Sequence, residues 1–371
     1  MTEPAGGLAG VLAGPTGLGT SAARFTARLT AAAEPDTPIL DGDPAYAHRE
    51  WGDGSAPPLY CPVTGRIDDA LAEEVDRRLA LWASECGFDD RECEQLGQAG
   101  FGRLVMLAHP DCDDPDRLLI SARLNAAWWA ADDLYADDTA LGAVPAELPP
   151  RLALAMAAMD PLPPVGEFSR ELDQKLVGDR VLVALGSAAG HLRDNGTSAQ
   201  HQRVCHSTFT MFVSWTAYAA WRHAGKYPPA WEYLAARQHD SFYTSMTLID
   251  VLGAYELPAN LFYEPRVRQA AIQAGTAAVL VNDLYSVTKD LADDSPPCNM
   301  VLLVAGDRAC SIQEATEITV NLHNDIVRDF QSAHDTLRAV ASPELQRFLH
   351  GLRSWMGGGF EWHSTSPRYR D

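Results

Sequence analysis

The sequence predicts an all-α fold. From Pro57 onward, long stretches with few Gly or Pro carry helical spacing. Strand signals are few, with no alternation of strand and helix, and no repeat period runs through the chain. The spacing predicts helices over 67–85, 89–108, 115–136, 167–194, 198–224, 264–292, 311–341 and 343–356. In the first, Ala70, Leu71, Val75, Leu79 and Trp82 form one apolar stripe, the face a helix turns to a core. Residues 1–57 differ: Gly, Ala, Pro and Thr dominate and large aliphatics are scarce. Such a segment cannot bury enough apolar surface to offset its ordering entropy, so it is expected to be a disordered extension before one helical domain, 58–371.

Composition narrows the function. Of 371 residues, 46% are hydrophobic, enough for a sizeable core. A formal charge of −21 argues against nucleic acid or an anionic membrane surface as partner. An anionic small molecule stays open, because divalent cations invert a local field. The seven cysteines are scattered and odd in number, which fits free thiols in a reducing cytosol. No apolar run reaches the roughly 18 residues of a membrane span, and no basic n-region opens the chain. Neither GxGxxG nor GxxxxGK[ST] is present. A cytoplasmic location is expected.

Two polar clusters carry the chemistry. The first, Trp128-Trp129-Ala130-Ala131-Asp132-Asp133-Leu134-Tyr135-Ala136-Asp137-Asp138, closes a helix that begins near Asp116. On an α-helix Asp133 and Asp137 share a face, with Asp132 beside them. Crowded carboxylates repel unless a cation sits between them, and hard oxygens suit Mg²⁺. Taken alone, the run also fits a solvated acidic helix end. In the second cluster Asn282, Ser286 and Asp290 recur every four residues behind the apolar run 276–281. They offer an amide oxygen, a hydroxyl and a carboxylate to one side of a helix, a set that fits one Mg²⁺. Burying that triad without a ligand would be costly.

An Asp-rich helix end followed about 150 residues later by Asn-Asp-x-x-Ser-x-x-Lys-Asp resembles the bacterial class I terpene synthases. Two further landmarks agree: Arg237, 45 residues before Asn282 with Asp240 and Ser241 following, and the terminal pair Arg368-Tyr369. The resemblance implies a helical bundle around a deep apolar cavity, with three Mg²⁺ gripping an isoprenoid diphosphate at its mouth. It implies Asp132, Asp133 and Asp137 or Asp138 as metal ligands facing Asn282, Ser286 and Asp290. Arg237, Lys289, Arg368 and Tyr369 would hold the diphosphate, and Asp240 and Ser241 would match the linker and effector positions. The sequence departs from the usual pattern at Asp290, where glutamate is common, and at Ala136, where a DDxxD motif has its last acid.

A carbocation needs a nonbasic cavity, and aromatic faces supply one by cation–π attraction. Phe101, Trp128, Trp129, Phe212, Trp215, Tyr218, Trp221 and Trp355 are the candidates, with Phe101 and Phe212 favoured for their apolar surroundings; ordinary core packing is the alternative for each. A narrower resemblance runs from about 57 to the C-terminus, through Leu59-Tyr60-Cys61-Pro62, Phe101-Gly102-Arg103-Leu104-Val105-Met106-Leu107-Ala108-His109-Pro110 and Ala254-Tyr255-Glu256-Leu257-Pro258. It points to the branch that acts on (E)-2-methylgeranyl diphosphate. That implies cyclisation with water capture to 2-methylisoborneol, or proton loss to 2-methylenebornane. A C-methyltransferase would then be a pathway partner, and a homodimer is common among such enzymes. Some relatives resemble encapsulin cargo, which makes Gly14 to Phe25 a candidate docking peptide. A chain-elongating prenyltransferase would need a second DDxxD-type motif and a class II cyclase a DxDD motif; neither occurs. A helical scaffold with solvated acidic faces is the non-enzymatic reading.

Overall fold

A computed structural model describes residues 45–137, 144–292 and 298–366. Gly14 to Phe25, Asp138, Arg368 and Tyr369 lie outside them. Strands β1 (Tyr46–Arg49) and β2 (Leu59–Pro62) pair antiparallel, with Tyr46 opposite Pro62. Helices follow: α1 (Asp69–Glu85), α2 (Asp90–Ala99), α3 (Phe101–Ala108), α4 (Pro115–Ala131), α5 (Leu148–Met159), α6 (Phe168–Val177), α7 (Arg180–Asn195) and α8 (Ser198–Ala224). The second half holds α9 (Ala230–Arg237), the one-turn helices α10 (Tyr243–Met246), α11 (Ile249–Leu252) and α12 (Ala259–Phe262), then α13 (Pro265–Leu291), α14 (Met300–Arg308), α15 (Ile312–Leu337) and α16 (Pro343–Thr365). No described helix is long and apolar enough to cross a membrane.

Several boundaries differ from the sequence expectation, each for a local reason. Residues 46–49, expected within the loose extension, instead form β1, which is held by distant partners. Tyr46 stacks on Tyr60 with ring centroids 5.4 Å apart, and Arg49 pairs with Glu361 at 2.7 Å. The stretch 89–108 is two helices because Gly100 takes φ 68°, a left-handed turn natural to glycine. The stretch 167–194 divides at Gly178, after which the Asp179 carboxylate caps α7.

The largest difference is at Gly357-Gly358-Gly359, which read as a stop but lies inside α16. A Cβ at 358 would come within 2.7 Å of the Leu107 carbonyl, and one at 357 within 2.7 Å of the Pro62 oxygen. These glycines let α16 approach α3 and β2. Gly358→Ala is therefore expected to cost about 1–3 kcal/mol of overpacking. Gly359→Ala, with nothing within 4 Å of the new Cβ, should be neutral or slightly stabilising. Urea unfolding of the two variants checks this.

The core packs α13 against α15 and α16, α3 against α1 and α16, and α4 against α7. Helices α4, α8, α9 and α13 thereby surround one cavity.

Candidate active site

The cavity measures about 210 Å³. Helix α4 gives it Asn125, Trp128 and Trp129; α8 gives Trp215, Tyr218 and Arg222; α13 gives Asn282, Ser286, Lys289 and Asp290. Arg237, Asp240 and Ser241 enter from the end of α9 and the break after it, and Asp132 faces them from beyond α4. The two sequence clusters, 150 residues apart, thus line one space.

The acidic cluster is arranged differently from the expectation. Residues Asp132–Asp137 form a π-turn, whose hydrogen bonds span five residues. The α-helical register expected through this run is therefore not kept. Asp132 lines the cavity, whereas Asp133 lines a neighbouring pocket with Phe88, Arg91 and Leu96. Arg222 secures this turn by donating to the Ala136 carbonyl at 2.9 Å.

On α13 the triad is tied together by hydrogen bonds. Ser286 Oγ donates to Asp290 Oδ2 at 2.6 Å. Asn299 Nδ2 lies 2.8 Å from Asp290 Oδ2, 3.2 Å from Ser286 Oγ and 2.8 Å from the Asp283 carbonyl. The Asn282 amide is oriented by His363. Burial pushes the His363 pKa down to about 4, so the ring is neutral at pH 7. Its Nδ1–H donates to the Gly359 carbonyl at 2.7 Å, leaving Nε2 to accept from Asn282 Nδ2 at 3.2 Å. That places Oδ1 on the side of Arg237, whose Nη2 donates to it at 3.0 Å.

Arg237 is anchored by Asp283 and Asp240. Its Nε and Nη2 donate to Asp283 Oδ1 at 3.1 and 2.7 Å, and Nη1 donates to Asp240 Oδ2 at 2.8 Å. Burial alone would lower the Arg237 pKa, but these carboxylates outweigh it and raise it. Burial pushes the Asp283 carboxyl up. Tyr233 Oη and the Met300 N–H donate to its Oδ2, both at 3.0 Å, so each oxygen accepts two bonds, as suits a carboxylate. Trp215 Nε1 donates to Asp240 Oδ1 at 3.0 Å.

Among the described residues no three His, Cys, Asp or Glu side chains converge on a metal-sized space. The fitting donors are instead two carboxylates, an amide and a hydroxyl: Asp132, Asp290, Asn282 and Ser286. All are hard oxygens, as Mg²⁺ requires, and Mg²⁺ commonly completes its octahedron with water and substrate phosphate. Of the expected cavity aromatics, Trp128, Trp129, Trp215 and Tyr218 line the space. Phe101 packs edge-on behind Trp129 at 5.5 Å, Phe212 against Trp215 at 5.0 Å, and Trp355 against the lining residue Phe242 at 5.9 Å. Sequence spacing favoured Phe101 and Phe212 because it reports an apolar face, not which layer of that face meets the cavity. Asp283, His363, Asn299, Arg222 and the polar pair Asn125 and Ser245 were not anticipated. Only Asp283 carried a signal, its place inside the second motif.

A helical bundle with a polar, magnesium-compatible rim over aromatic walls defines a class I terpene cyclase. The profile "Terpene synthase family 2, C-terminal metal binding" matches residues 123–329, and the chain belongs to this family as a Mg²⁺-dependent cyclase. It is 34% identical to 2-methylisoborneol synthase of Streptomyces ambofaciens, over 96% of this chain and 80% of that one. A solved structure of 2-methylisoborneol synthase from Streptomyces coelicolor A3(2), in complex with Mg²⁺ and 2-fluoroneryl diphosphate, superposes with a TM-score of 0.80 at 32% identity. It covers 84% of this chain and 97% of that one. A 4-epi-cubebol synthase of Streptosporangium roseum, named as cyclising (2E,6E)-farnesyl diphosphate, is 27% identical over 85% of this chain and 92% of that one.

Proposed function

We propose that this cyclase ionises (E)-2-methylgeranyl diphosphate and closes it, with water capture, to 2-methylisoborneol and diphosphate. The observation that carries the reading is the step in similarity. The relatives named for 2-methylisoborneol stand at 34% and 32% identity, and the one named for farnesyl diphosphate at 27%.

In this reading Asp132, with Asp137 or Asp138, holds magnesium opposite Asn282, Ser286 and Asp290, three ions in all. Bound there, the metal neutralises the charge that develops on the departing diphosphate. Arg237 and Lys289 bind the same anion, and Arg368 and Tyr369 join them from the C-terminus. Asp240 and the Trp215 indole hold the Arg237 guanidinium in place, so the donors need no reorganisation when charge appears. The Ser241 region, at the break after α9, touches the substrate end nearest that anion. Trp128, Trp129, Trp215 and Phe242 exclude water and turn ring faces toward the cation.

Deeper in, Ser245 Oγ donates to Asn125 Oδ1 at 2.7 Å, and Asn125 Nδ2 donates to the Ser121 carbonyl at 2.8 Å. Asn125 precedes Asp132 by seven residues, about 10 Å along a helix. A polar pair at that depth in an aromatic cavity suits one held water, which supports an alcohol product. The substrate's extra methyl requires a C-methyltransferase reaction upstream.

The test is gas-chromatographic analysis after incubation with Mg²⁺ and geranyl, farnesyl or 2-methylgeranyl diphosphate. The expected result is 2-methylisoborneol from the last, with slower turnover of geranyl diphosphate. A sesquiterpene as the dominant product, or 2-methylenebornane without alcohol, overturns the reading.

A further inference from the structure

Helix α8 presents Trp215, Tyr218 and Arg222 to the cavity at spacings of three and four, one stripe of the helix. Trp215 is bonded to Asp240 and Arg222 to the Ala136 carbonyl. Tyr218 differs. The residue is only 7% exposed, and its hydroxyl is buried with no hydrogen-bond partner among the described residues. Its ring lies 5.9 Å from that of Tyr233, whose own hydroxyl reaches Asp283 and the Cys298 carbonyl. Arg237, Asp240 and Asp283 are the charged groups close enough to act on it. The hydroxyl therefore stands within electrostatic reach of the cluster assigned to the diphosphate.

Native proteins rarely bury a hydroxyl without a partner, because desolvation is then uncompensated. A partner that arrives with the ligand resolves the cost. We propose that Tyr218 is a diphosphate-contacting residue: its hydroxyl donates a hydrogen bond to an oxygen of the anion held by Arg237 and Lys289. The proposal rests on the placement of diphosphate given above and changes the role expected for Tyr218 from ring face to donor. Burial pushes its phenol pKa up, so the proton stays on the oxygen that has to donate it. With Arg222 one turn further along α8, this face of the bundle forms a third side of the anion cradle.

Tyr218→Phe removes the hydroxyl and keeps the ring. Binding of inorganic diphosphate in the presence of Mg²⁺, measured calorimetrically on the full chain, should weaken about tenfold or more, the loss of one charge-assisted hydrogen bond. The thermal midpoint should be unchanged or higher, because the variant no longer buries an unpaired hydroxyl. A midpoint several degrees lower would show that the hydroxyl has a partner within the protein, and would overturn the proposal. So would unchanged diphosphate affinity in the variant while the unaltered chain binds normally. If the unaltered chain itself fails to bind diphosphate with Mg²⁺, the assignment of the cavity rim falls, and this proposal with it.

Discussion

Asn282→Ala is expected to lower turnover about a thousandfold while leaving the fold intact. Asn282 gives the candidate metal set its only amide oxygen, and the His363 ring and Arg237 hold that oxygen toward the cavity. Alanine removes the ligand and the orienting contact together. The residue is partly exposed at the cavity rim, and Arg237 keeps its bonds to Asp283 and Asp240. Diphosphate release at saturating substrate, measured over a magnesium titration beside a circular-dichroism melt, separates the two effects. An unchanged melt with a loss that extra magnesium only partly restores is the expected pair. Product formation at the normal rate would remove Asn282 from the metal set.

The parts of this site that were legible in the sequence share one property: they are periodic within a single helix. Asn282, Ser286 and Asp290 repeat at the helical period, so their common face could be read without knowing what they face. Helix α8 matched its expected span, 198–224, because its Thr197 capping box and Gly225 terminator are local signals. What escaped depends on partners distant in the chain. Asn299 acts from the N-terminal cap of α14, His363 reaches Asn282 from α16, and Gly357 and Gly358 are explained only by what α16 packs against. The π-turn at Asp132–Asp137 is the instructive error. An α-helical period was assumed through the acidic run, and one inserted residue per turn moves Asp133 out of the cavity and leaves Asp132 in it.

Arg237→Met should damage stability as well as activity, because the arginine compensates a carboxylate that water does not reach. Asp283 is 1% exposed, and Arg237 supplies two of its four hydrogen bonds and the nearest positive charge. Removing one partner of a buried pair typically costs about 3–5 kcal/mol, since the remaining charge is left without compensation. The accompanying loss of turnover should match or exceed that of Asn282→Ala, because the same group is assigned to the departing diphosphate.

Two controls separate the buried-charge account from simple loss of packing. In the double variant Arg237→Met with Asp283→Leu, no buried carboxylate remains, so stability should recover part of the loss although a second native residue has gone. The pH dependence has a definite sign. Without Arg237 the folded-state pKa of Asp283 rises further above its unfolded value. Such a group contributes stability when protonated, at low pH, and loses it as pH climbs through the folded pKa. The gap between Arg237→Met and the unaltered chain should therefore widen from about pH 4 toward neutrality in urea titrations. A gap that stays constant with pH, together with a double variant no more stable than the single one, would mean that Asp283 is not the charge Arg237 neutralises.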